Sequence, residues 1–354
     1  MNLNESELTK NSKINYNGSI KALTIKQNDK AIKKGGDIFM KKYIIKRIWQ
    51  MFVVLFLVSV FCFSLVRFIP GDPIKAIFGE VQYTEEEYQE LRSELGLDKP
   101  YVEQYFIWIV KFCQGDFGVS YTFNRPVRDL IIQRAPITLY LTTISLLISI
   151  ALGICAGVFT AVKRGKPSDT IITLLANTTH CVPNFWLALL LVFLFSVSLG
   201  WLPSYGFAWP SEGILISFKT CLLPIICFSL GPIAGITRQT RSCMLEVIRQ
   251  DYMRTAKAKG LKRNTVIFQH GLRNALIPLI TFMGMYVSTL LGGSAIIEQV
   301  FSIPGMGSLL MTSVSARDFP VIQACVLLMA TFSIVINLIV DILYGYIDPR
   351  IRLS

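Results

Sequence analysis

The chain has 354 residues, 52% of them hydrophobic and 16% charged, with a mean hydropathy of +0.50 and a formal net charge of +12. This balance excludes a soluble globule and defines an all-α polytopic membrane protein, because several apolar runs reach the length of a helix that crosses the bilayer. The basic excess lies in loops and a tail while the aromatic residues lie in the apolar runs, so the charge is no nucleic-acid footprint and no nucleic-acid partner is expected.

Residues 1–39 are rich in Asn, Lys and Ser and read as a disordered cytoplasmic extension. Residues 40–69 are expected to form the first transmembrane helix. Its apolar part, 48–69, is too long for a cleaved signal peptide, and no small-x-small site follows it. Pro70, Gly71 and Pro73 end it. Five further apolar stretches, 137–162, 171–199, 221–236, 276–297 and 319–347, bring the expected spans to six.

Residues 70–136 are expected to form an extracytoplasmic helical region, the one sizeable piece outside the membrane on the external side. Thr84 and Glu87 make a capping box for a helix that Gly96 closes. Pro100 opens a second helix over 101–113, with Tyr105, Trp108 and Ile109 available for the membrane interface, and the turn GDFG at 115–118 ends it. From the residues alone this region is a packing cap or a contact for an external partner.

The stretch 171–199 is longer than one span needs, and its middle is polar, with Pro183 as a breaker. Polar groups at membrane depth face protein or water, so Asn177, Thr178, His180 and Asn184 are candidates to line a pathway, in the company of Thr179. His180 beside Cys181 makes a poor metal pair, since neighbours on a helix point about 100° apart, and no metal site is assigned. The eight cysteines support no disulfide framework.

The segment 244–278 is basic and lies between apolar runs, with Arg249, Arg254, Lys257, Lys259, Lys262, Arg263 and Arg273 against Glu246 and Asp251. Leu245, Ile248, Tyr252 and Ala256 recur at helical spacing and predict one helix over 244–259 with an apolar stripe. Gly260 ends it in a left-handed turn, and Asn264 is a candidate cap for the helix that follows. The stripe either lies on the bilayer or the protein's own helices, or docks a soluble partner.

After the fifth span, Gly292, Gly293, Pro304, Gly305 and Gly307 are expected to break the backbone into an apolar loop folded against the helix ends. Glu298 is available to a cationic substrate group or to a structural pair with Arg317. Asp341 reaches the interface or pairs with an inner arginine. Lys and Arg assign the sides: 41–47, 163–169, 238–275 and 348–354 hold eighteen against four acids, whereas 70–135, 200–217 and 298–318 hold eight against fourteen. Both termini are therefore expected in the cytoplasm, as is the short tail 348–354.

No phosphate-binding GxxxxGK[ST] and no HExxH occurs, and two histidines build no ordinary triad, so neither cofactor nor catalytic residue is assigned. The paired polar breaks of an ion-driven carrier are also missing. Energy for any transport must then come from a partner.

Several motifs carry a resemblance. AKAKGLKRNTVIFQHGLRNALIP at 256–278, GLDKP at 96–100, GDFGVS at 115–120, and above all Glu298, Phe301, Pro304, Gly305, Gly307, Arg317, Asp318 and Pro320 resemble the permease subunits of peptide/nickel-class ABC importers, over residues 40–354. The Glu-Ala-Ala-xxx-Gly motif of such subunits is represented here by Arg254, Thr255, Ala256 and Gly260, of which Ala256 and Gly260 keep the pattern. The resemblance implies a permease core over 137–347 with a cytoplasmic coupling helix between the fourth and fifth spans. Leu245, Ile248, Tyr252, Arg254, Thr255, Ala256, Gly260 and Leu261 would carry the ATPase contact. It further implies a second, similar permease subunit, two ATP-binding subunits, an extracytoplasmic substrate-binding protein, and lipid of the cell membrane as surroundings. Peptide import is the first expectation and nickel or a metal chelate the second. A stand-alone channel or a membrane-embedded enzyme is the reading from another class.

Overall fold

The computed structural model describes residues 42–64, 84–94 and 98–347. The 1–39 extension, the 348–354 tail, Gly96 and the breakers Pro70, Gly71 and Pro73 lie outside the described residues. The helices are α1 (Lys42–Ser64), α2 (Glu85–Glu94), α3 (Tyr101–Cys113), α4 (Val127–Val162), α5 (Pro167–Cys181), α6 (Asn184–Leu191), α7 (Ile214–Ile248), α8 (Asp251–Ala258), α9 (Arg273–Val300), α10 (Met306–Ser315) and α11 (Phe319–Ile347). Among the described residues, five helices are long and apolar enough to cross a bilayer, and the pair α5–α6, bent by 104°, supplies a sixth crossing if taken as one span. The all-helical membrane fold expected from composition is the fold observed.

The chain divides into two units. The described part of the smaller one, 42–50 and 341–347, is tied by Arg47, whose Nε lies 3.3 Å from Asp341 Oδ2 and whose guanidinium stacks 5.3 Å from the Tyr43 ring centre. Asp341 thus takes the arginine, one of its two expected roles.

The larger unit, 51–340, is organised on the α4–α7 contact. Ser145, Ser149, Gly153 and Gly157 recur every fourth residue of α4 and present a strip of small side chains to α7. Ser149 Oγ donates to the Ser229 carbonyl at 3.1 Å, and Ser229 Oγ returns a bond to the Ser145 carbonyl at 3.2 Å. At Gly157 the backbones approach so closely that an added Cβ would stand 2.7 Å from the Thr237 carbonyl oxygen. Such close approach substitutes packing and hydroxyl–carbonyl bonds for the hydrophobic drive that lipid does not supply.

Three elements run further than the sequence predicts. α4 begins at Val127, ten residues before the expected span, and contains Pro136. Val127, Leu130 and Ile131 are buried against Met306, Leu309, Val321 and Cys325, and this packing outweighs one lost backbone bond. α7 covers 35 residues instead of 221–236, with Pro224 and Pro232 inside, because its α4-facing side is packed along the whole strip. α9 passes through Gly292 and Gly293 without a break and turns only at Phe301.

Outside the spans, Thr84 and Glu87 form the capping box: Thr84 N–H donates to Glu87 Oε2 at 2.9 Å, and Glu87 N–H donates to Thr84 Oγ1 at 3.3 Å. These bonds hold the Glu87 carboxyl below the usual carboxylate range. In α3, Tyr105 and Trp108 pack on α1: Tyr105 OH bonds Ser59 Oγ at 2.8 Å, and the Trp108 ring lies 5.8 Å from Phe63. The exposed apolar side of α3 is Val102, Phe106, Ile107 and Val110, one helical face away from the residues expected there.

Candidate functional site

The α5–α6 bend falls at Val182 and Pro183, whose extended backbone (ψ 127° and 133°) interrupts the helix. Beside it opens a cavity of about 300 Å³ lined by Thr179, Asn184, Phe228, Gly231, Tyr286 and Thr289, with Pro183 and Gly293 among its walls. Among the described residues, the wall contains no charged side chain. It offers one amide, three hydroxyls and apolar surface, a lining suited to neutral polar groups such as amides rather than to an ion. Tyr286 is aimed by contact: a Cβ on Gly235 would collide with its hydroxyl, so the glycine makes the space the ring occupies.

Of the residues expected to line a pathway, Asn184 is in this wall. Asn177 and Thr178 are exposed on α5 and do not reach it. His180 stands in the last turn of α5, and its side chain lies outside the described residues. Sequence reasoning passed over Tyr286 and Thr289. They sit three residues apart on an apolar helix, where scattered hydroxyls, Ser288 among them, give no pattern to read.

At the basic end of the larger unit, α7 stops at Ile248 and α8 starts at Asp251, separated by Gln250 in an extended conformation (φ −70°, ψ 149°). The single helix expected over 244–259 is therefore two helices with a hinge. Leu245 and Ile248 belong to α7 and pack beside Val158, Met244 and Ala275. The buried residues of α8 are Met253 and Ala256, in contact with Val266, Val247 and Ile248. Tyr252 is not part of the buried stripe: it is 41% exposed, and its hydroxyl accepts from Asn274 Nδ2 at 3.1 Å. The hinge shifts the register by rotating α8 about its axis, so Met253 takes the place expected for Tyr252.

Arg254 has a side chain 78% exposed, 3.5 Å from Asp251 Oδ1, and Thr255 is exposed beside it. Gly260 adopts φ +75°, with no atom within 4 Å of where a Cβ would be, and Leu261 follows at 41% exposure. The cap of the next turn is Lys262, whose carbonyl receives the Val266 N–H at 3.1 Å, so the role expected for Asn264 falls two residues earlier. A π-helical turn, Val266–Leu272, then leads into α9.

A clamp fixes α7 ahead of the hinge. Arg241 Nε and Nη2 donate to the two carboxylate oxygens of Asp169 at 2.8 and 2.9 Å, and the Gly165 N–H adds a third donor at 3.1 Å. The Asp169 side chain is 7% exposed. Paired, planar and bidentate, this is the strong form of an arginine–carboxylate contact.

At the opposite end of α9 the residues of the apolar loop form a buried knot. Glu298 is fully buried; its carboxylate accepts from Thr138 Oγ1 at 2.7 Å and from the Ser308 N–H at 2.8 Å, while Thr138 Oγ1 accepts the Met306 N–H at 2.8 Å. Of the two roles expected for Glu298, the geometry bears on the pair with Arg317. No pair with Arg317 forms, because Arg317 sits exposed in a left-handed turn (φ +56°), and hydroxyl and amide donors occupy the carboxylate in its place. A Cβ on Gly305 would collide with that carboxylate, and one on Gly307 would lie 2.6 Å from Ala295 N, so both glycines are contact points for α9. Phe301 is buried, and Pro304 is half-buried in the same turn. Asp318 caps α11: its carbonyl receives the Ile322 N–H, and its carboxylate accepts from Ser120 Oγ and the Thr122 N–H.

Removing the Glu298 carboxylate leaves buried donors unpaired, each at about 1–3 kcal/mol. Glu298→Ala is expected to lower the melting temperature of the purified protein by roughly 5–10 °C, with Glu298→Gln intermediate, as read by thermal unfolding of tryptophan fluorescence. Equal melting of all three would remove the knot from the account.

A helical membrane protein with an uncharged polar cavity at a broken span and a hinged basic helix at one end is a transport component. The chain belongs to the family of binding-protein-dependent transport system inner membrane components: the family matches residues 153–353, and its N-terminal counterpart matches residues 40–142. It is 39% identical over 333 residues to the di/tripeptide transport system permease protein DppB of Pseudomonas aeruginosa, covering 88% of this chain and 99% of that one. It is 42% identical over 313 residues to the glutathione transport system permease protein GsiC of Escherichia coli K12, again covering 88% and 99%. A solved inward-facing structure of the MetNI methionine ABC transporter is similar at 18% identity and a TM-score of 0.49, covering 62% of this chain and 96% of that chain. The protein is the membrane permease component of a binding-protein-dependent ABC importer.

Proposed function

We propose that this permease imports di- and oligopeptides, paired with a second, similar permease subunit, driven by two ATP-binding subunits and fed by an extracytoplasmic binding protein. It performs no chemistry itself; ATP is hydrolysed by its partners. Both termini and α8 face the cytoplasm, the side on which eighteen Lys and Arg meet four acids. The uncharged cavity at the α5–α6 bend supports the peptide reading, since amide and hydroxyl groups pair with peptide backbone without favouring either sign of side chain. The named activities of the two relatives point the same way.

Tyr252, Arg254, Thr255, Gly260 and Leu261 form the surface offered to an ATP-binding subunit. Ala256 anchors α8 from behind, and Leu245 and Ile248 seat the hinge on α7. ATP-driven closure of the motor subunits displaces α8, and the Asp169–Arg241 clamp with the α4–α7 strip passes the movement to the bend that carries Asn184. The pathway comprises Asn184, Thr179, Tyr286 and Thr289.

The test is uptake of labelled dipeptide, glutathione and nickel into vesicles holding the assembled transporter. Peptide or glutathione uptake that needs ATP and the binding protein is expected; uptake by this polypeptide alone, or of nickel only, overturns the reading. Asn184→Cys and Thr289→Cys are expected to react with a water-borne thiol reagent in at least one nucleotide state. If both stay unlabelled throughout the cycle, the pathway runs elsewhere.

A further inference from the structure

Behind α8 lies a recess of about 440 Å³ that the transport reading does not use. Its floor is apolar, with Val162 from the end of α4, Ile248 from α7, Met253 from α8 and Ile267 from the π-helical turn, while Lys257 and Arg263 stand at its rim. We propose that this recess binds an anionic phospholipid of the adjoining leaflet, acyl chain on the apolar floor and phosphate between Lys257 and Arg263.

Charge and depth identify the occupant. Neither Lys257 nor Arg263 has an ion-pair partner among the described residues. Two unpaired cations beside an apolar wall match a headgroup phosphate joined to a chain. The recess also stands at the level of the bilayer interface. α4 ends at Val162, and the next residue, Lys163, folds its ammonium over the Phe159 ring at 4.2 Å, the posture of a lysine leaving hydrocarbon for water. Phe159 and Phe268, on the two elements that border the recess, are exposed as lipid-facing residues are.

The recess meets the surface offered to the ATP-binding subunits at Leu261 alone, which lines its edge, while Tyr252, Arg254, Thr255 and Gly260 lie outside it. Lys257 follows Met253 by one helical turn and shares its side of α8, whereas Thr255 lies on the other side. A lipid seated there bridges the end of α4 to α8 and stiffens the hinge from the membrane side.

The experiment uses the complete transporter in nanodiscs with a photoactivatable phosphatidylglycerol, reading the label on peptides from 253–267 and ATPase activity in parallel. Each cation contributes about fivefold near an anionic headgroup, so Lys257→Gln with Arg263→Gln is expected to weaken labelling roughly 30-fold. Lys259→Gln with Lys262→Gln, equal in charge but outside the recess, is expected to leave it unchanged, and unlabelled phosphatidylglycerol but not phosphatidylcholine is expected to compete. Wild-type labelling of the first pair, equal loss in the second, competition by phosphatidylcholine, or no labelling of the complete wild-type transporter overturns the proposal. Lost ATPase activity with intact labelling bears on the importer reading alone.

Discussion

Gly157→Leu is expected to leave no folded permease to purify. The α4–α7 contact is the largest between elements in the larger unit, and at Gly157 a side chain would enter the space of Thr240 and the Thr237 carbonyl. Overpacking a close contact costs about 1–3 kcal/mol where neighbours can yield. Here one neighbour is backbone, which cannot. Gly157→Ala should survive at reduced thermal stability, since its single methyl already overlaps Thr240. Ser149→Ala removes a hydroxyl shared between the Ser145 and Ser229 carbonyls, a type of contact worth about 0.6 kcal/mol inside a membrane protein, and should be nearly silent. Recovery of monodisperse complex by size exclusion separates these cases, and a well-behaved Gly157→Leu protein would mean that the two helices do not meet there.

Gly260→Pro is expected to abolish uptake while membrane levels stay normal. Proline fixes φ near −65° and cannot reach +75°, and it removes the N–H that Gly260 donates to the Lys257 carbonyl at 3.0 Å. Because open space surrounds the position, the damage is conformational and confined to the turn after α8. Gly260→Val meets the left-handed penalty of about 1–2 kcal/mol and more for its branched side chain, so uptake should fall at least severalfold. Gly260→Asn tolerates that backbone and should retain most activity. The ordering Asn above Val above Pro, measured as uptake per inserted transporter with substrate-stimulated ATPase falling in parallel, is the expected outcome. Uniform wild-type uptake would remove this turn from the coupling path.

Much of this could be read from the residues because the physics is local. Apolar runs gave the spans, Pro183 marked the bend, Thr84 with Glu87 gave the capping box, and Gly260 marked a left-handed turn. Features that depend on distant partners could not be read. Asp169 and Arg241 lie 72 residues apart, and Thr138 and Glu298 lie 160 apart, so no spacing rule connects either pair. The α7–α8 hinge was missed because Leu245, Ile248, Tyr252 and Ala256 fit one continuous helix as written, and only the packing of Met253 against Val266 breaks that register. The strip Ser145, Ser149, Gly153, Gly157 was visible as four small residues at i, i+4 intervals, a signal that span-finding by hydropathy discards.

The absence of charge around the cavity at the bend has a consequence for what the importer can refuse. Among the described residues, the wall of amide, hydroxyl and hydrocarbon holds nothing that repels an acidic or a basic peptide side chain, so the proposed pathway places selection by charge ahead of it. A cell could then widen its diet by exchanging the receptor outside while leaving this conduit as it is.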